Sequence, residues 1–173
     1  MRPYTIWCPK YDVTSGGIRV LHGLRSWLEI KGQEVYMNEQ KKGAIAIYPE
    51  IVHGNPLNGE KVVRYILQKA GLMTMGGKGG PTSFTEQAFV FSELYNTIGA
   101  DKDHIMFLPI LNTELFKDKK QFRKGYCIFK RRATPDTFDG FVLTDELIKD
   151  QQRLADYLNT VEVMHAYGPV SAM

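Results

Sequence analysis

Two rhythms of apolar residues alternate along the first forty positions. Pro3 to Cys8 is a short run of strand-forming residues that Pro9 ends. After the turn-forming cluster Asp12-Val13-Thr14-Ser15-Gly16-Gly17, the spacing changes. Val20, Leu21, Leu24, Trp27 and Leu28 fall on one stripe of a helix, with Arg19, His22, Ser26 and Glu29 opposite. Gly32 is a natural stop, and Glu34 to Met37 reads as a second strand. Strand, glycine loop, helix and strand in that order make one βαβ unit, which implies a parallel sheet.

The alternation continues. Ala44 to Tyr48 is wholly apolar, as a central parallel strand covered on both faces should be. A loop from Glu50 to Asn58 contains His53-Gly54-Asn55-Pro56. Asn58 then predicts the cap of a helix with Val62, Val63, Ile66, Leu67 and Ala70 inward and Gly71 at its end. A strand is expected around Ala88 to Phe91, and another apolar run, interrupted by Pro109, covers His104 to Ile110. From Lys117 to Arg132 the character shifts: eight of sixteen residues are Lys or Arg, around the short strand Tyr126 to Phe129. The domain boundary is placed near residue 119, giving domains 1–119 and 120–173. In the second, Phe141 to Leu143 is a brief strand, Thr144 caps a helix reaching about Leu158, and Val161 to Ala166 closes the pattern. The expected class is α/β: a Rossmann-like parallel sheet flanked by helices, plus a small β-α-β segment of a second such domain.

Composition changes this picture little. The chain is 43% hydrophobic and 24% charged with a net charge of +3, so no bulk electrostatic force demands a nucleic acid or membrane partner. Cys8 and Cys127 both lie in apolar runs, which fits reduced thiols and a cytoplasmic location. The N-terminus runs straight into a strand without a signal-peptide pattern, and no apolar run approaches the ~20 residues of a transmembrane helix.

Chemistry enters at a few places. Ser15, Gly16 and Gly17 stand between a strand end and a helix start, where free backbone N–H groups attract anions; a tight βα turn alone also explains the glycines. Met75 to Gly80 is glycine-rich, but Leu72 and Gly79 occupy positions where a phosphate loop needs Gly and Ser or Thr, so a surface loop is the better reading. The basic stretch reads as a solvated linker, as a nucleic-acid contact, or, through Lys130, Arg131 and Arg132 at a strand end, as a holder of diphosphate. The four histidines show no metal spacing, and no metal is expected. His53 stands apart, in a Gly/Pro loop just past a strand and near Glu50.

These residues together resemble the GT-B glycosyltransferases, nucleotide-sugar-dependent enzymes of two facing Rossmann-like domains. Ser15 to Leu21 with its helix is similar to their opening. Tyr48 to Leu57, followed by Val62-Val63-Arg64-Tyr65, is similar to a bacterial and phage-type branch containing rhamnosyltransferases. Leu108 to Phe116 resembles the exit from the N-terminal domain, Gly125 to Arg131 the first donor-domain strand, and Tyr167 to Ser171 the start of the donor-binding turn. The family's usual Gly-Lys pair is replaced by Phe129-Lys130-Arg131-Arg132, and the glutamate-bearing donor helix would follow Met173.

The resemblance implies transfer of a sugar from a nucleotide-diphosphate donor, a co-substrate rather than a bound cofactor, to an unknown acceptor. Lys130, Arg131 and Arg132 would hold the diphosphate with Ser15, Gly16 and Gly17, while Glu50 or His53 orients the acceptor hydroxyl. Turnover by an isolated monomer is expected to be weak or absent unless a second copy or a protein partner completes the pocket. Two alternatives stand beside this: a non-catalytic module that binds a glycan, nucleotide or protein, and a nucleic-acid-associated protein using residues 117–132.

Overall fold

A computed structural model describes residues 2–72, 74–75, 78–79, 85–130 and 141–167, with the backbone alone for 74, 75, 78, 79, 130 and 165–167. The chain divides into two units: residues 1–11 with 17–110, and residues 12–16 with 111–173.

The first unit is built on a parallel sheet of β1 (Tyr4–Ile6), β2 (Val35–Met37), β3 (Ile45–Pro49), β4 (Lys61–Ile66) and β7 (Gln87–Val90), in the order β2-β1-β3-β4-β7. Between β4 and β7 lie the short antiparallel strands β5 (Thr74–Met75) and β6 (Lys78–Gly79). The α/β expectation holds for this unit. Helix α1 (Gly16–Ile30) covers one face, because Val20, Leu21, Leu24 and Leu28 are buried against Ile6, Ile47 and Tyr65. Trp27 was expected inward but lies at the edge of that stripe, 46% exposed, with the Lys31 ammonium over its ring.

The helix expected from Asn58 to Ala70 is strand β4. Asn58 has φ +50° and so sits in the left-handed region of a turn rather than at a helix cap. β-branched Val62, Val63 and Ile66 fill the place between β3 and β7, where Ala46 pairs with Val62 and Tyr48 with Arg64. The helical stripe arose because a strand covered on both faces carries apolar residues at nearly every position. Ile105 makes a single parallel bridge to Val90, and residues 106–110 run on without strand pairing.

With no helix between β3 and β4, residues 50–60 themselves cover the sheet's second face over β3, while Tyr95, Ile98 and Ala100 pack on Ile66 and Val90 farther along it. At β3, Ala46, Tyr48, Val52 and Leu57 form a buried cluster, flanked by Trp7, Ile51 and Val62. The loop's polar groups are tied down from below. The Tyr48 hydroxyl donates to Asn55 Oδ1 at 2.7 Å and accepts from the Leu57 N–H at 2.8 Å, and Asn55 bonds both the N–H and the carbonyl of Gly59 at 2.9 Å. Gly59 runs so close to β3 that a Cβ there would stand 2.4 Å from Ala46 Cβ.

The second unit has a three-stranded parallel sheet of β8 (Tyr126–Lys130), β9 (Phe141–Val142) and β10 (Val163–Tyr167), in the order β10-β8-β9. Thr144 caps helix α2 (Asp145–Lys149) through Leu147 N–H, as its sequence suggests. The single helix expected to Leu158 is broken at Asp150, whose carboxylate accepts the Arg153 N–H and caps a new helix, α3 (Gln151–Leu158). Cys127, Leu143, Leu147 and Val161 form the core beneath.

The close approach of Gly59 generates a prediction. Gly59→Ala forces a methyl into Ala46, with backbone atoms of Ala46 and Lys61 at 2.9 Å leaving it no exit. The expected loss of stability is about 1–3 kcal/mol by urea denaturation, the usual cost of overpacking. A change within about 0.5 kcal/mol, as for an ordinary surface substitution, contradicts this packing.

Candidate functional site

In open parallel sheets, ligands collect beyond the carboxyl ends of the strands, where the strand order reverses direction. Here that point lies between β1 and β3. Three segments of the first unit emerge beside it: Trp7 to Tyr11, the start of α1, and the 50–60 loop. Gly17 in the first turn of α1 faces Leu67, whose Cδ1 would lie 3.6 Å from an added Cβ. The Leu67 N–H in turn donates to Glu50 Oε2 at 2.9 Å. Gly17 and Glu50, from distant parts of the sequence, thus meet around the residue that follows β4.

Glu50 is only 4% exposed. Burial raises its carboxyl above the usual range, against the lowering effect of the Leu67 and Gln68 N–H groups. Its carboxylate is therefore engaged in holding the backbone beyond β4. His53, by contrast, is exposed. The carbonyls on either side of it, those of Val52 and Gly54, each accept from the Arg64 guanidinium at 2.7 Å. Arg64 is 2% exposed, lies over the Tyr48 ring at 5.1 Å, and donates to Glu86 at 2.8 Å. The result is a histidine displayed on a loop whose backbone is clamped on both sides of it.

Ser15 and Gly16 belong to the second unit by their contacts. The Ser15 N–H donates to the Asp12 carbonyl at 3.1 Å, and the Thr14 N–H and hydroxyl both donate to the Asp12 carboxylate. Gly16 opens α1, whose first turn carries no acidic side chain to offset its positive end. Lys130 ends β8 opposite Tyr167, its side chain outside the described atoms, and Arg131 and Arg132 lie outside the described residues, as do Gly76, Gly77, Gly80 and the turn from Gly168.

Four cations of the basic stretch make ion pairs at the surface, on three carboxylates. Lys119 pairs with Asp156 at 2.5 Å, Arg123 with Asp118 at 2.6 Å, Lys120 with Asp118 at 3.2 Å and Lys117 with Glu114 at 3.6 Å. Cys8 and Cys127 are free and buried, and burial pushes the Cys8 thiol up to about 11, which keeps it protonated near neutrality.

A cavity of about 430 Å³ lies on the polar face of α1. Arg19, His22 and Ser26 of the helix line it together with Tyr11, Pro109 and Ile110, and it is open to solvent. His22 Nε2 lies 3.2 Å from the Pro9 carbonyl, and its ring meets Tyr11 edge-on at 5.3 Å. Arg19 donates to the Ile110 carbonyl at 3.0 Å. Sequence periodicity assigns these residues to a solvated helix face, because it carries no information about the segment 106–110 that returns to cover it. Arg64 was missed for a related reason: a lone arginine in an apolar run looks like the polar face of a helix.

Among the described residues no group of His, Cys, Asp or Glu is arranged to hold a metal ion, and no helix is long and apolar enough to cross a membrane. No family model, curated protein or solved structure matches the chain.

The buried carboxyl of Glu50 generates a pH prediction. A carboxyl raised in the folded state binds its proton more tightly folded than unfolded, so its contribution to stability falls as pH rises from the ordinary carboxylate range through its folded value. Glu50→Gln keeps an oxygen for the Leu67 N–H and removes that titration. Denaturation at several pH values between about 4 and 7 is expected to show the variant gaining on the wild type as pH rises. A variant that falls progressively behind shows instead that the charged carboxylate stabilises the fold.

Proposed function

We propose that the chain is a glycosyltransferase-like protein of the nucleotide-sugar-dependent GT-B class, with its first unit on the acceptor side. The observation that carries this reading is the meeting of Gly17 and Glu50 around Leu67, beyond the carboxyl end of β4 in a parallel sheet. Gly17 and Glu50 come from the Ser15-Gly16-Gly17 motif and the Tyr48 to Leu57 segment, two stretches that carry the family resemblance. In this reading Glu50 holds the edge of the sheet, and exposed His53 orients the acceptor hydroxyl. The Ser15-Gly16-Gly17 turn and Lys130, Arg131 and Arg132 bind the donor diphosphate, stabilising the negative charge that grows on the leaving group.

Calorimetric titration with a series of nucleoside diphosphates tests the donor half. One of them is expected to bind saturably, and the Lys130→Ala/Arg131→Ala double variant to bind it at least about tenfold more weakly, since a charge-assisted hydrogen bond is worth roughly 1.5–3 kcal/mol. Heat from none of them, or unchanged affinity in the double variant, removes the donor site. A parallel transfer assay over nucleotide sugars at several protein concentrations separates a catalyst from a binding module. Turnover that rises steeply with concentration indicates a shared site, and binding without turnover indicates the module.

A further inference from the structure

The cavity on α1 holds a charge that no described residue balances. Three described arginines are buried or partly buried. Arg64 is paired with Glu86 and Arg123 with Asp118. Arg19 is the third, and among the described residues it makes no ion pair. Its Nη2 donates to the neutral carbonyl of Ile110, which fixes the guanidinium at the wall of the cavity and leaves its full positive charge there. The other charges on the lining nearly cancel, because Arg25 and Glu29 pair with each other at 2.9 Å. A guanidinium offers five donors in a planar fork suited to carboxylate or phosphate, and one bond to a carbonyl leaves most of them unused.

The remaining lining sets what else the ligand carries. Ser26 supplies a hydroxyl, Tyr11 an aromatic ring, and His22 a ring whose Nε2 already faces the Pro9 carbonyl. Pro109 and Ile110 contribute one apolar wall. At about 430 Å³ the space falls within the range of small-molecule sites and is too small for a macromolecular groove. We propose that this cavity binds a small polyhydroxylated molecule bearing a carboxylate or phosphate, with Arg19 as its counter-ion. The proposal stands whether or not the chain transfers sugar, since none of these residues belongs to the donor site or to the His53 loop.

Calorimetry at low ionic strength with glucose 6-phosphate, glucuronate and glucose tests it on the full chain. At least one of the two acidic sugars is expected to bind, and which one identifies the oxyanion; glucose is expected to bind at least about tenfold more weakly. Arg19→Gln keeps a donor for the Ile110 carbonyl and deletes the charge, and is expected to weaken the acidic ligand by about tenfold or more. Ser26→Trp, at an exposed position of the cavity lining, is expected to block binding without removing a charge. Arg153→Gln, on exposed α3, is the control and leaves affinity unchanged. The proposal is overturned if neither acidic sugar binds, if glucose binds as tightly, or if both cavity variants, folded by circular dichroism, bind like wild type. The nucleoside diphosphate titration reports on a different set of residues, so either result can fail while the other holds.

Discussion

The grip of Arg64 on the carbonyls of Val52 and Gly54 is the constraint on which the first unit depends. A parallel sheet needs cover on both faces, and helices normally provide it. Here one face has α1 and the other, over β3, has an irregular loop, which brings unpaired backbone groups over a buried surface. Such a cover survives only if those groups find partners. Arg64 supplies several donors from a single strand position, Tyr48 beside it supplies a hydroxyl and a ring, and Asn55 closes the far end on Gly59. The desolvation cost of a buried guanidinium is offset by two carbonyls and by Glu86, whose carboxyl is held below its usual range by the arginine.

The same arrangement decides which groups are available for chemistry. A loop held by its backbone does not bury the side chains at its crest, and His53 is exposed between the two clamped carbonyls. Glu50 at the loop's origin is spent on the backbone beyond β4. Two residues that look alike in the sequence, polar and just beyond a strand, thus have separate tasks. On the opposite face of the sheet, α1 presents its apolar side inward, and the segment 106–110 turns the outer side into the wall of a cavity.

Much of the frame was legible before any coordinates. β1, α1, β2 and β3 follow from apolar spacing, as do β7, β8 and the Thr144 cap, because each is decided by local pattern and local hydrogen bonding. β4 was not, since a strand buried on both faces lacks the alternation that separates strand from helix. The break at Asp150 was hidden because the apolar residues on its two sides keep one helical phase. For the site, the sequence pointed to Gly17, Glu50 and His53 but not to Arg64 or the cavity at Arg19. Those arise from contacts between positions 10 to 91 residues apart, and hydrophobic periodicity does not record them.

The side-chain anchors of the 50–60 loop come from β3, β4, the loop itself and Gln40, which donates to the Pro56 carbonyl. The loop therefore has no autonomous stability. It acquires its shape only after two strands separated by it in sequence have paired, so it belongs to the last structure gained in folding and the first lost in a partial opening. Such an opening would uncover Tyr48, Val52 and Leu57 together, as one cooperative patch, while leaving the β1-α1-β2 unit and its core intact.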